Sequence, residues 1–159
     1  MSELILAAAI IAADQVVKLF IRNNFNVGEG LSVIPGVFHL TYVRNRGAAF
    51  SIFQNQPIVT ILIPLVIIAT CTAVLIKIRR GIRKPLMPAM AAIIAGGIGN
   101  LIDRVALGYV TDMIDLRFFP VFNIADIAVT CGCAFVVIYL LFFDREGQDR
   151  GGGHDAPRM

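Results

Sequence analysis

Hydrophobic positions along this chain gather into long blocks at Leu4 to Ile21, Pro57 to Ile76, Leu86 to Leu101 and Phe122 to Phe143, with the polar residues pushed between them. At about 1.5 Å of rise per residue, a helix over each block crosses most or all of a hydrocarbon core ~30 Å thick, so each block predicts a membrane span. The third is short and rich in small residues, Ala91, Ala92, Ala95, Gly96, Gly97 and Gly99, which predicts close packing against neighbouring helices. Pro64 predicts a kink in the second. Between the first two blocks, Leu31 to Val43 reads as a pair of strands broken by a Pro35-Gly36 turn. The expected fold is an all-α membrane protein with four transmembrane helices and a small extracytoplasmic sheet between spans one and two. Such a sheet has to lie in the interface, where water and headgroups satisfy its edges.

Composition strengthens this picture. The 159 residues are 57% hydrophobic and only 16% charged, and the mean hydropathy is +0.78, beyond the range of an ordinary soluble domain. The net charge of +3 does not predict a nucleic-acid partner, because the cations are not interleaved with aromatics on one face. Five of the 14 basic residues, Lys77, Arg79, Arg80, Arg83 and Lys84, sit in one short connection, which is thereby expected to be cytoplasmic. Both chain ends then lie inside, and residues 22–56 and 102–121 lie outside. Met1-Ser2-Glu3 supplies no basic leader and no small-residue cleavage site follows, so the first block reads as a retained span. Residues 1–144 are expected to form one membrane domain, and 145–159 a disordered cytoplasmic tail. Cys71, Cys131 and Cys133 are odd in number and lie in apolar runs with no histidine nearby, which predicts packing rather than disulfides, zinc or a thiolate nucleophile.

Polar groups in or at the edge of a span are costly, so Asp14, Asp103, Asp112 and Asp126 are where chemistry is sought. The expected topology brings Asp103, Asp112 and Asp126 to one depth at the outer ends of spans three and four. Asn100-Leu-Ile-Asp103 and Asn123-Ile-Ala-Asp126 share a spacing that puts both polar groups on one helix face. Asn123 to Asp126 equally fits a helix N-cap with a first-turn acid. Asp103-Arg104 fits a helix end whose aspartate pairs with a basic neighbour. Asp112 is harder to explain structurally, because it has no adjacent cation and is flanked by Val110, Met113 and Ile114. Two close carboxylates share a proton, so one can activate water while the other protonates the departing group. With only His39 and His154, no HExxH and no Gly-x-Ser-x-Gly, the parts for zinc or serine hydrolysis are missing. Asp14 and Lys18 stand four apart, the spacing of a polar knot on one helix face, with a proton or ion relay as the alternative.

These residues fall into ordered motifs: Asp14-Gln-Val-Val-Lys18, Asn45-Arg-Gly-Ala-Ala-Phe50, Gly99-Asn-Leu-Ile-Asp-Arg104, Val110-Thr-Asp112 and Phe122-Asn-Ile-Ala-Asp126. Over nearly its whole length the chain resembles the bacterial lipoprotein signal peptidases, or signal peptidase II. The resemblance implies an aspartyl endopeptidase of the bacterial inner membrane that removes signal peptides from diacylglyceryl-modified prolipoproteins by cutting before the lipidated cysteine. It implies Asp112 and Asp126 as the catalytic dyad, with Asn45, Gly47, Asn100, Asp103, Arg104 and Asn123 supporting the site. It implies a structural role for Asp14, which the polar knot would share with Lys18. No metal and no cofactor are implied, the partners are the prolipoprotein substrate and membrane lipid, and a monomer is expected. The first outer segment would be the family's β-cradle over the substrate, and an extracytoplasmic helical region before Asp112 the opposing clamp. The sequence departs from the common family pattern at Arg46, Thr111 and Ile127, and Asp115 leaves open which acid of the 112–115 stretch faces Asp126. With Asp126 near a helix N-terminus and Asp112 in an apolar stretch, Asp126 is expected to be the base and Asp112 the acid.

Rival readings are a small ion-coupled transporter, suggested by Asp14, Lys18 and the proline-broken second span, and a magnesium-dependent lipid phosphotransferase using Asp103, Asp112, Asp115 and Asp126. A purely structural membrane subunit would leave the clustered acids unexplained.

Overall fold

A computed structural model describes residues 1–47, 57–79 and 84–143. Among these the elements run α1 (Ser2–Asn24), β1 (Gly30–Ile34), β2 (Phe38–Asn45), α2 (Pro57–Arg79), α3 (Leu86–Leu107), β3 (Val110–Asp115) and α4 (Ile124–Phe142). All four helices are long and apolar enough to cross a membrane, and this is a multi-pass membrane protein. The expected tail, most of the basic connection and Ala48 to Phe50 of the motif after the strands lie outside the described residues.

Its helices are built inside out relative to a soluble bundle. In α1 the buried positions are Asp14, Lys18 and Ile21, while Leu4, Ile5, Val16, Leu19 and Phe20 are exposed. The outward face is the apolar one, as hydrocarbon requires, and the inward face carries the polar groups. The central helix is α3, which packs against α1, α2 and α4. Its small residues permit that closeness: a Cβ on Gly96 would run into the backbone carbonyl of Ala125 in α4, and one on Gly99 would stand 2.7 Å from Asp14 Oδ2 in α1. Helix α2 runs through Pro64 as one element.

Two expectations need correction. The third span does not stop at Leu101 but continues to Leu107, because Asn100 and Asp103 turn their polar groups into the protein, where partners wait, rather than marking a surface end. The helix ends where Gly108 adopts φ 77°, the left-handed conformation that glycine tolerates, and donates its N–H to the Arg104 carbonyl. Among the described residues no separate helix lies between α3 and Asp112. Asp112 itself lies on strand β3.

That strand changes the sheet. β1 and β2 pair antiparallel through the Pro35-Gly36 turn as expected, but β3 pairs antiparallel with β2, Val43 opposite Asp112 and Asn45 opposite Val110. The sheet order is β1-β2-β3, so the connection between α1 and α2 and the connection between α3 and α4 build it together. Ile21 of α1, Tyr42 of β2 and Met113 of β3 form a buried apolar cluster that seats the sheet on the helices. Arg44 lies over the rings of Tyr42 and Tyr109 at 5.6 and 4.9 Å, tying β2 to the residue just before β3.

Candidate active site

The site starts from the first turn of α4. Asn123 is its N-cap, with an extended backbone, and its side-chain oxygen accepts from the Asp126 N–H while Asp126 accepts from the Asn123 N–H, a reciprocal capping box. The N-cap reading of this stretch is therefore correct, but it does not exhaust the role of Asn123. Its amide nitrogen, 0% exposed, donates to Asp112 Oδ1 at 2.7 Å and to Asn100 Oδ1 at 3.0 Å. One side chain thus joins the acid of β3 to the acid of α4.

Each oxygen of both acids has a donor. Asp112 Oδ2 accepts from Asn45 Nδ2 at 3.0 Å, Asp126 Oδ1 accepts from Asn100 Nδ2 at 2.8 Å, and Asp126 Oδ2 accepts from the Asn123 backbone at 3.1 Å. A carboxylate oxygen has two acceptor sites, so every oxygen keeps capacity for water or substrate. Asp112 is 2% exposed; Asp126 is half-buried and more accessible. Burial, and then the negative charge of Asp126, push the Asp112 carboxyl up to about 7 against the lowering influence of Asn45, Asn123 and Lys18. The choice left open between Asp112 and Asp115 is decided by their partners. Asp115 binds the Arg117 N–H at 2.8 Å and the Thr41 hydroxyl at 3.1 Å, and the Arg117 backbone bond chiefly holds its carboxyl below the ordinary value.

Behind the acids lies a buried polar layer. Lys18 Nζ is 2.9 Å from Asp14 Oδ2 and 3.5 Å from Asp103 Oδ2, and it donates to Asn100 Oδ1 at 2.9 Å. Asp14 also accepts the Ala125 N–H at 3.0 Å, which ties α1 to the start of α4. Asp103 faces α1 and β3 rather than the two acids: it meets Arg22 at 3.4 Å and accepts the Thr111 N–H at 2.9 Å. Arg104 reaches the Gly47 carbonyl at 3.4 Å, and the Gly47 N–H donates to Asn45 Oδ1 at 3.0 Å, which orients Asn45 toward Asp112.

All ten residues singled out from the sequence therefore meet in one network. Sequence reasoning passed over Gln15, which bridges Asp14 and the Gly99 carbonyl, and Arg22, which also donates to the Thr111 hydroxyl at 3.2 Å. The signal was present: Asp14, Gln15, Lys18 and Arg22 share one side of a helix otherwise apolar at those turns. Beside Asp126 opens a groove of about 330 Å³ lined by Leu116, Phe118, Phe119, Phe122 and Ile127, with Asp126 the charged side chain in its lining. Among the described residues no group of three or more His, Cys, Asp or Glu side chains is placed to hold a metal ion.

Comparison with known proteins is consistent across three lines. The family model for signal peptidase (SPase) II matches residues 6–142. A lipoprotein signal peptidase of Halothermothrix orenii is 42% identical over 144 residues, covering 91% of this chain and 98% of that protein. One from Clostridioides difficile is 39% identical and is covered over its entire length, with 93% of this chain. A solved bacterial membrane enzyme, determined by the in meso method at 2.3 Å resolution, superposes with a TM-score of 0.80 at 28% identity, covering 99% of this chain and 94% of that one.

Proposed function

This chain belongs to the signal peptidase II family of membrane aspartyl proteases, and from that premise we propose that it removes signal peptides from diacylglyceryl-modified prolipoproteins, with Asp112 and Asp126 as its catalytic dyad. The observation that carries the reading is Asn123, which donates to Asp112 through its side chain and to Asp126 through its backbone and so holds both acids to one site.

The dyad starts with one shared proton, which belongs to Asp112, where burial and the neighbouring charge retain it. Asp126, in the first turn of α4, sits where the helix dipole favours a negative charge. Asp126 takes a proton from water as the water oxygen attacks the carbonyl carbon before the lipidated cysteine, and Asp112 gives its proton to the carbonyl oxygen. The gem-diol then collapses. The C–N bond breaks, Asp126 returns its proton to the leaving amine, and a diol hydroxyl returns one to Asp112, which restores the dyad. The groove of Leu116, Phe118, Phe119 and Phe122 suits apolar substrate beside Asp126, and the lipid anchor holds the scissile bond at the dyad's depth, so much of the positioning precedes the chemistry. Asn45, Gly47, Asn100, Asp103, Arg104 and Asn123 support the site, while Asp14 and Lys18 knot α1 to α3 and α4.

The chain lies in the bacterial inner membrane with both termini cytoplasmic and the dyad near the extracytoplasmic face, and it acts as a monomer without cofactor or metal. An ion-coupled transporter is not supported: Asp14, Lys18, Arg22 and Asp103 pair with one another behind the dyad instead of lining a path. The deciding experiment is a gel-shift cleavage assay in detergent, with chelator present, on a diacylglyceryl-modified proprotein. Wild type is expected to cleave, while folded Asp112→Asn and Asp126→Asn lose at least ~10³-fold in kcat. Cleavage that survives either substitution defeats the dyad, and cleavage abolished by chelator defeats the metal-free mechanism.

A further inference from the structure

Lys18 is 0% exposed and has no route to substrate, yet its bonds bear directly on the dyad. An ammonium can only donate, so the Asn100 atom 2.9 Å from it has to be the carbonyl oxygen Oδ1. That places Asn100 Nδ2 on the far side, 2.8 Å from Asp126 Oδ1. An inverted amide would set N–H against ammonium and oxygen against carboxylate. Asn123 also donates to Asn100 Oδ1, but that neutral amide nitrogen is shared with the Thr111 carbonyl at 3.5 Å and with Asp112 at 2.7 Å. The ammonium is the charged donor of the two, and charge-assisted bonds are roughly twice as strong as neutral ones. A bond to the amide oxygen also polarises its N–H groups, strengthening their donation onward.

We propose that Lys18 is a positioning residue for the dyad: its ammonium locks the Asn100 amide in the orientation that donates to Asp126 and accepts from Asn123. The inference rests on Asp112 and Asp126 being the catalytic acids. It goes beyond a structural knot, because the two acids of that knot retain other donors without Lys18. Asp14 keeps Gln15 and the Ala125 N–H, and Asp103 keeps Arg22 and the Thr111 N–H.

The test is a double-mutant cycle in detergent on the same proprotein, reading kcat, KM and thermal melting for Lys18→Met, Asn100→Leu and the pair. Each single variant is expected to lose about 10²-fold in kcat, as for loss of one aimed donor, with KM unchanged. With no amide left to orient, adding Lys18→Met to Asn100→Leu should cost nothing further in kcat. Losses that multiply, or a Lys18→Met enzyme with wild-type kcat, overturn the proposal. Should Lys18→Met melt below the assay temperature, Lys18→Gln, shorter by one bond, offers Asp14 a neutral donor while removing the charge. Its kcat is expected to fall by the same order, and a wild-type kcat, or failure of both variants to fold, assigns Lys18 to structure alone. Asp126→Asn separates the two readings. Cleavage surviving it removes the dyad itself, whereas cleavage lost there and kept in the Lys18 variants removes only the positioning role.

Discussion

Asp112 carries the sharpest pH consequence of any single side chain here. An unfolded aspartate titrates near ~3.9, and the folded site pushes this one up to about 7. With the folded value above the unfolded one, the folded state retains a proton that the unfolded chain gives up. The resulting stabilisation is complete below the unfolded value and is lost as pH rises through about 7. Asp112→Asn removes that titration, so its melting temperature relative to wild type should climb between about pH 4 and about pH 9, by roughly 2–4 °C per ~1 kcal/mol. A constant difference across that range in detergent melts would contradict the buried, protonated acid. Activity should fall on the alkaline side as Asp112 loses its proton around 7. At this scale the sequence was informative about identity but not about partners. Acids in apolar surroundings were conspicuous, whereas Gln15 and Arg22 looked like ordinary polar residues of a helix, and the long-range partner that sets Asp112 apart from Asp115 was not visible. The Asp112 bond to Asn45 depends on the pairing of β3 with β2, whereas the Asp115 bonds to Arg117 are local and could have been suspected from the spacing.

At the level of the helices, the small residues of α3 hold the site together by allowing close approach. Gly96 lies against the Ala125 carbonyl, one residue before Asp126. Gly96→Ala is expected to separate α3 from α4 and to destabilise the protein by about 1–3 kcal/mol, measured as a lower melting temperature in micelles. It should also reduce kcat, because the donor Asn100 and the acceptor Asp126 sit on the two helices being parted. Unchanged melting would mean that α4 can shift without cost. The hydropathy pattern located four helices long and apolar enough to cross a membrane, since an apolar run of that length fixes a helix. It misplaced the end of α3 because a polar residue in a span reads as a boundary unless its partner is known. Asp103, 1% exposed, has its partners on α1 and β3. Likewise, Val110 to Asp115 is short, buried on both faces and without alternation, so it does not identify a strand without β2, whose residue Asn45 lies 67 positions from Asp112.

Across the described residues, the apolar shell faces outward while Asp14, Lys18 and Asp103 turn inward, so bilayer and protein exchange the roles that water and core have in a soluble domain. Val66, 55% exposed on α2, should therefore tolerate Leu freely, while Val66→Arg is expected to cost about 2.5–3.5 kcal/mol if it lies at the span centre, read as reduced membrane insertion of α2. Equal insertion of both variants would place that face against protein or water. The order of the elements along the chain has a further effect, on when the protein becomes active during its own synthesis. Asp14 leaves the ribosome among the first residues, but the Ala125 N–H that it accepts lies 111 positions later, at the start of the last helix. Until that helix is inserted, Asp14 lacks this partner and Asp112 lacks Asn123. A nascent chain holding only three of its four helices thus lacks both Asp126 and Asn123, so on the proposed dyad its activity should begin only once the last helix is in place.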